Sequence, residues 1–218
     1  MKKPVILLCI MIFALCAGCG SSGDVSESAT QSNTDTAVNE EAATEDTASE
    51  AESTSKYNAF IDEYDSFEVT STSMNNGAWN DAISNTEAGS NKSPQLEWDA
   101  VDGAALYVII MDDTDAWDII HWKSDNVTET SLDEGWADES EYMGPFPPAG
   151  STHTYEVYVV ALKAKVERVK GAFGGQNARF EENFRALDTD AEGNSGNIIA
   201  VGRLSGTYTN QEEKHPGN

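Results

Sequence analysis

From Tyr57 onward, aromatic and β-branched residues recur at the spacing expected of strands. Phe67-Glu68-Val69-Thr70-Ser71-Thr72 alternates apolar with polar, the pattern of a half-exposed strand. A turn-rich stretch of Asn, Gly and Ser over 75–93 follows, with Trp79 and Ile83 as its apolar anchors. In Ser93-Pro94-Gln95-Leu96-Glu97-Trp98, Pro94 opens a strand or sits at an edge, because it has no N–H to give to a ladder. Ala104 to Met111 is almost continuously apolar, which predicts a strand covered on both faces; it is short for a buried helix. It runs into Asp112-Asp113-Thr114-Asp115-Ala116-Trp117, and Ile119-Ile120-His121-Trp122 resumes the strand pattern. Asp115 and His121 are thereby expected to face each other across a loop.

Residues 126–142 read as irregular and acidic. Three prolines and two glycines in Gly144-Pro145-Phe146-Pro147-Pro148-Ala149-Gly150 then make a stiff loop, which leads into Ser151-Thr152-His153-Thr154-Tyr155 and the strand Tyr155 to Leu162. Side chains of a strand alternate between faces, so His153 and Tyr155 are expected on the same side. A helix is predicted between about Asn177 and Leu187, where Ala178, Phe180, Phe184 and Leu187 share a face. After a break at Gly193 to Gly196, Asn197 to Tyr208 reads as a closing strand. Many short strands and turns with one modest helix define an all-β sandwich with small helices, spanning residues 57–210 and followed by a polar tail, 211–218. The sequence contains no internal repeat, P-loop, GxGxxG or HExxH.

The front of the chain has a different character. Lys2 and Lys3 precede the apolar run Val5 to Leu15, giving a secretory signal peptide over 1–18 that is short of the roughly 20 apolar residues of a membrane span. Leu15-Cys16-Ala17-Gly18-Cys19 resembles the lipobox of bacterial lipoproteins, with Cys16 where Leu is usual. That resemblance makes Cys19 the lipidated first residue of the mature chain, anchored to the outer face of the cell membrane; a plainly secreted protein is the alternative. All 3 cysteines, Cys9, Cys16 and Cys19, lie in this region, so the domain has no disulfide, thiol nucleophile or cysteine metal site. Residues 19–56 are rich in Ser, Thr, Ala, Glu and Asp and too poor in apolar surface to fold, which predicts a disordered acidic linker.

The formal net charge of -25 argues against nucleic acid and anionic lipid surfaces as partners. An anion site would have to be a local exception.

In order, Ser93-Pro94-Gln95-Leu96-Glu97-Trp98, Asp113-Thr114-Asp115-Ala116, His121-Trp122, Gly144-Pro145-Phe146-Pro147-Pro148 and His153-Thr154-Tyr155 resemble the motifs of the phosphatidylethanolamine-binding protein family, most closely its bacterial Raf-kinase-inhibitor-like branch. The resemblance spans roughly Tyr64 to Tyr208 and implies a β-sandwich of two antiparallel sheets with a small anion pocket at one end. It also implies a pocket lining of Asp115, His121, Gly144, Pro145, Pro147, Pro148, His153 and Tyr155, with Asp113 a further candidate. The family binds phosphate-like groups and phosphorylated head groups, and some members inhibit proteases or kinases. This chain has Thr114 for the proline of the DPDA motif, Phe146 for the cysteine of the GPCPP form, and Thr154 for the arginine of the HRY motif. Losing that arginine removes a fixed charge with a fork of donors.

Two of the chain's 3 histidines occupy motif positions; His215 lies in the tail. Imidazole and Tyr–OH donate hydrogen bonds, and a glycine-containing loop lets backbone N–H groups approach a ligand. A small phosphate-like anion is therefore the expected ligand, bound more tightly as histidine protonates near pH ~6.5. No cofactor and no metal are expected. Two histidines with a carboxylate also suit acid–base or metal chemistry, but no activated nucleophile or recognised metal spacing accompanies them, so the expectation is a binding protein rather than an enzyme. The alternative is a protein-interaction module that inhibits an extracellular protease or another enzyme through the loops around the pocket.

Overall fold

The computed structural model describes residues 58–212, so the expected signal peptide, Cys19, the expected acidic linker and His215 fall outside the described residues. Short elements come first: a 3₁₀ turn Ala59–Glu63, strands β1 (Ser66–Phe67), β2 (Val69–Thr70), β3 (Met74–Asn75) and β4 (Ala78–Trp79), a second 3₁₀ turn Asp81–Ile83, and β5 (Leu96–Trp98). The body then follows with β6 (Leu106–Asp113), β7 (Ile119–Val127), β8 (Ser131–Leu132), β9 (Thr152–Leu162), helix α1 (Phe180–Arg185) with a 3₁₀ extension Ala186–Asp188, and β10 (Ile198–Thr209).

Seven strands form the larger sheet, ordered β3-β4-β10-β9-β6-β7 with β1 also on β10; β2-β5-β8 form a smaller one. The long ladders are antiparallel, whereas the two-residue strands β1 and β4 run parallel to β10. Pairs this short carry no alternation, which is why the alternating segment 67–72 splits between sheets, with Phe67 in β1 and Val69 in β2. The predicted helix is present but short, with Phe180, Phe184 and Leu187 buried.

The apolar run of β6 is explained by cover on both faces. Tyr107, Ile109 and Met111 point into one core, with Val157, Val159 and Ala161 of β9. Leu106, Val108 and Ile110 point into a second core, with Tyr158, Val160 and Leu162, beneath Phe180 and Phe184 of α1. Each fully buried aliphatic side chain contributes about 1.5–3 kcal/mol, so the two-sided packing of β6 and β9 is the main source of stability without disulfides. Among the described residues no helix is long and apolar enough to cross a membrane.

Close packing of side chains over β10 requires glycine in that strand. A Cβ on Gly202 would lie 2.4 Å from Val69 Cγ2 and 2.7 Å from the Phe67 ring. On Gly206 it would lie 2.8 Å from Trp79 Nε1, and that indole N–H donates to Tyr155 O at 3.3 Å. Gly202→Ala is expected to cost about 1–3 kcal/mol by overpacking. Urea unfolding should show a lowered midpoint with an unchanged slope.

Candidate functional site

At one end of the larger sheet, β6, β7 and β9 bring Asp113, His121, His153 and Tyr155 together. Asp113 and Tyr155 are directly opposed partners in the β6–β9 ladder. Tyr155 lies between the two imidazoles: His121 meets it edge-on with centroids 5.2 Å apart, and His153 stacks on it at 6.4 Å. Position 121 owes its orientation to a bulge. Met111 pairs with Trp122 and Asp112 with Ile120, so His121 is the extra residue of β7, and such a bulge re-aims a side chain.

His153 Nδ1–H donates to Asp113 Oδ2 at 2.7 Å, and Asp115 N–H donates to Asp113 Oδ1 at 3.0 Å. The carboxylate that orients a histidine is thus Asp113. Asp115, expected opposite His121, is exposed and accepts the Thr154 N–H at 2.7 Å. Thr154 O in turn receives the Thr114 N–H at 3.1 Å. The tip after β6 is therefore clamped by the backbone of residue 154, which any side chain there supplies; that accounts for a braced Asp115 without the motif arginine.

His121 is buried, and its Nδ1 faces two carbonyls, Met143 O at 2.7 Å and Gly144 O at 3.1 Å. Carbonyls only accept, so Nδ1 carries the proton and Nε2 is a bare acceptor in the neutral ring. Burial pushes the His121 pKa below the usual histidine value, against the opposing pull of the Met143 carbonyl and the Asp113 charge. Tyr155 is raised far above a normal phenol by burial and by Asp113, so it stays a donor. Its hydroxyl is buried without a well-formed hydrogen bond among the described residues, although Asp113 and the Phe146 N–H lie near enough to act on it.

The proline-rich loop is a wall more than a cradle of donors. Pro145, Pro147 and Pro148 have no N–H, Gly144 N–H is taken by Asn91 Oδ1 at 2.7 Å, and Gly150 N–H by Asn210 O at 2.8 Å. Pro145 O accepts from Asn85 N at 2.9 Å and Pro147 O from Asn210 Nδ2 at 3.0 Å, which fixes the loop's path. Gly144 serves packing: a Cβ there would lie 2.0 Å from Ile83 O. Phe146 projects outward, 61% exposed, between the buried Pro145 and Pro147.

Sequence reasoning missed a polar network on the reverse face of the same strand ends. Asp112 and Glu156, each adjacent in sequence to a site residue, are opposed across β6 and β9 and fully buried. Glu156 is paired with Arg203 and accepts from Tyr158 Oη, while Asn58 Nδ2 donates to Asp112 Oδ2 at 3.3 Å. A charged residue at 156 within an otherwise apolar run was the available signal. Among the described residues no group of three or more His, Cys, Asp or Glu could hold a metal ion.

A β-rich domain with a histidine–carboxylate–tyrosine cluster walled by a proline loop matches one family along most of its length. The sequence model for phosphatidylethanolamine-binding protein matches residues 70–209, and the chain belongs to that family. One solved structure agrees on the fold. YbcL of Escherichia coli, described as a member of the mammalian PEBP family, superposes with a TM-score of 0.50 at 22% identity, covering 68% of this chain and 99% of its own. A putative PEBP homologue, CT736 of Chlamydia trachomatis, gives 0.48 at 26% identity, covering 69% and 99%. No curated protein matches the chain.

The depressed His121 pKa has a sign. Below pH ~6.5 the unfolded chain takes up a proton that the folded chain refuses until lower pH, so stability present at neutral pH is lost as pH falls. His121→Asn keeps an N–H for Met143 O and Gly144 O but does not titrate. Its thermal midpoint should drop less than that of the wild type between pH about 7.5 and about 5.5.

Proposed function

We propose that this chain is a cell-surface lipoprotein whose domain binds a small phosphate-like anion between His121, His153 and Tyr155, against the loop 144–148. The observation that carries the reading is the buried Tyr155 hydroxyl, without a well-formed hydrogen bond among the described residues, flanked by two imidazoles whose Nδ1 atoms are both committed to protein acceptors. Each Nε2 is then the atom left for a ligand. Asp113 acts as a positioning residue for His153, with its charge engaged by that ring and by the Asp115 N–H. A tetrahedral anion would accept from Tyr155 and, once the rings are protonated, from Nε2 of His153 and of His121. Because burial opposes that protonation, binding draws a proton into the site.

Sulfate is a suitable probe, since it keeps its double charge through this range and any pH trend belongs to the protein. Calorimetry should show affinity rising from pH about 7.5 to about 5.5. His153→Ala should weaken it about tenfold, the cost of one hydrogen bond to a charged group. Affinity that is flat or weaker at the lower pH overturns the reading. The exposed Phe146 supports the second reading, a loop that engages a protein partner. Capture of a partner unaffected by His121→Ala and His153→Ala would favour it.

Anchoring rests on the lipobox-like segment ending at Cys19. Cys19→Ser should abolish fatty-acid labelling and move the protein out of the membrane fraction.

A further inference from the structure

A second charged feature lies away from the histidine cluster. A cavity of about 750 Å³ opens between β7, the segment 168–172 and the start of α1, and four of the chain's 13 Lys and Arg line it: Lys123, Arg168, Lys170 and Arg179. One carboxylate, Glu182, joins them, so the lining carries a net charge near +3 in a chain of formal charge -25. This concentration is hard to account for as a general surface property when acids outnumber bases 38 to 13.

The cavity is built on a braced segment. Asn177, buried, accepts the Ala172 N–H and donates to Asp118 O, Ala172 O and Gly175 O. Lys123 Nζ donates to Gly171 O at 2.8 Å, tying the segment to β7. Three of the four cations, Lys123, Arg168 and Lys170, form no salt bridge among the described residues. Among the described residues Arg168 and Lys170 have no side-chain partner, and Arg179 meets Glu182 only at 3.5 Å, with both side chains well exposed. On one side the cavity is bounded by a smaller recess of about 200 Å³, shared by Lys123 and Arg168 with Asp125 and Glu141.

We propose that this cavity is a second anion site, selective for a compact ligand bearing two or more linked phosphate groups. Guanidinium forks bind phosphate oxygens in pairs, and two ammonium groups supply point charge beside them. One phosphate cannot reach four cations spread around a cavity of this size, which falls within the range of small-molecule sites, roughly 300–1,000 Å³. A long polyanion is excluded by the rest of the molecule. Beyond a Debye length of about 8 Å its charges meet the acidic surface, whereas a short oligophosphate stays inside the local positive field.

Tripolyphosphate and orthophosphate, titrated separately into the full chain at low salt, test this. Tripolyphosphate should bind at least about tenfold more tightly than orthophosphate and weaken steeply as salt is raised. The double variant Arg168→Ala/Lys170→Ala should lose at least about tenfold in tripolyphosphate affinity while keeping the wild-type melting temperature and sulfate affinity. His153→Ala should leave tripolyphosphate binding unchanged. Failure of tripolyphosphate to bind, wild-type affinity in the double variant, or loss of binding in His153→Ala each overturns the proposal. The last outcome would place the ligand at the histidines, and sulfate binding reports on those separately.

Discussion

Strand β9 is hydrogen-bonded along both edges, to β6 from Tyr155 to Leu162 and to β10 from Thr152 onward. The rest of the molecule depends on that double pairing. Cores on both faces of the sheet are built from its alternate side chains, and the position of Tyr155 follows from the ladder with no contribution from loop chemistry. The stacked His153 sits among the three residues of β9 that extend past the β6 ladder, so it needs the extra hold of Asp113. A site at the end of a doubly paired strand has one rigid wall, and only the facing loop needs separate bracing. Asn85, Asn91 and Asn210 provide it.

Much of this was legible in the sequence, because burial on both faces leaves a continuous apolar run and a half-buried strand leaves alternation. β6, β9 and β10 were recognisable for that reason. The two-residue strands were not, since they are defined by what they lie against. At the site, the motif residues His121, His153 and Tyr155 do gather, but the sequence could not say which of two nearby aspartates meets a ring. Asp113 and Asp115 share a parity along the chain, and the choice is made by where β6 ends: Asp113 is its last residue, whereas Asp115 lies in the turn beyond and caps Thr154. The bulge that turns His121 inward was equally invisible, being a mismatch in count between two strands that each read as regular.

Charge is distributed with a consistent logic. Carboxylates dominate the sequence, and the positions where an anion could be received are ones where that background is locally cancelled in two different ways. At the histidine cluster the cancellation comes from polar hydrogen atoms in a buried setting, with ring protonation as a variable term. In the cavity beside α1 it comes from permanent charges in water. On the proposed readings, the first would respond to pH and the second to ionic strength.

The network on the reverse face bears on how the strands find their alignment. Asp112 and Asp113 are chemically identical neighbours, so a slide of β6 by one residue would still present an aspartate to His153. Such a slide would also turn every side chain of the strand to the opposite core. Glu156, held by Arg203 and Tyr158, fixes β9 against β10 with a group that cannot be moved into an apolar core cheaply, and the slide of β6 would set Met111 opposite it in place of Asp112. Strands rich in interchangeable Val, Ile and Leu have few features by which to tell one registration from the next. A buried ion pair one residue from the site supplies such a feature, a punctuation mark in an otherwise repetitive text.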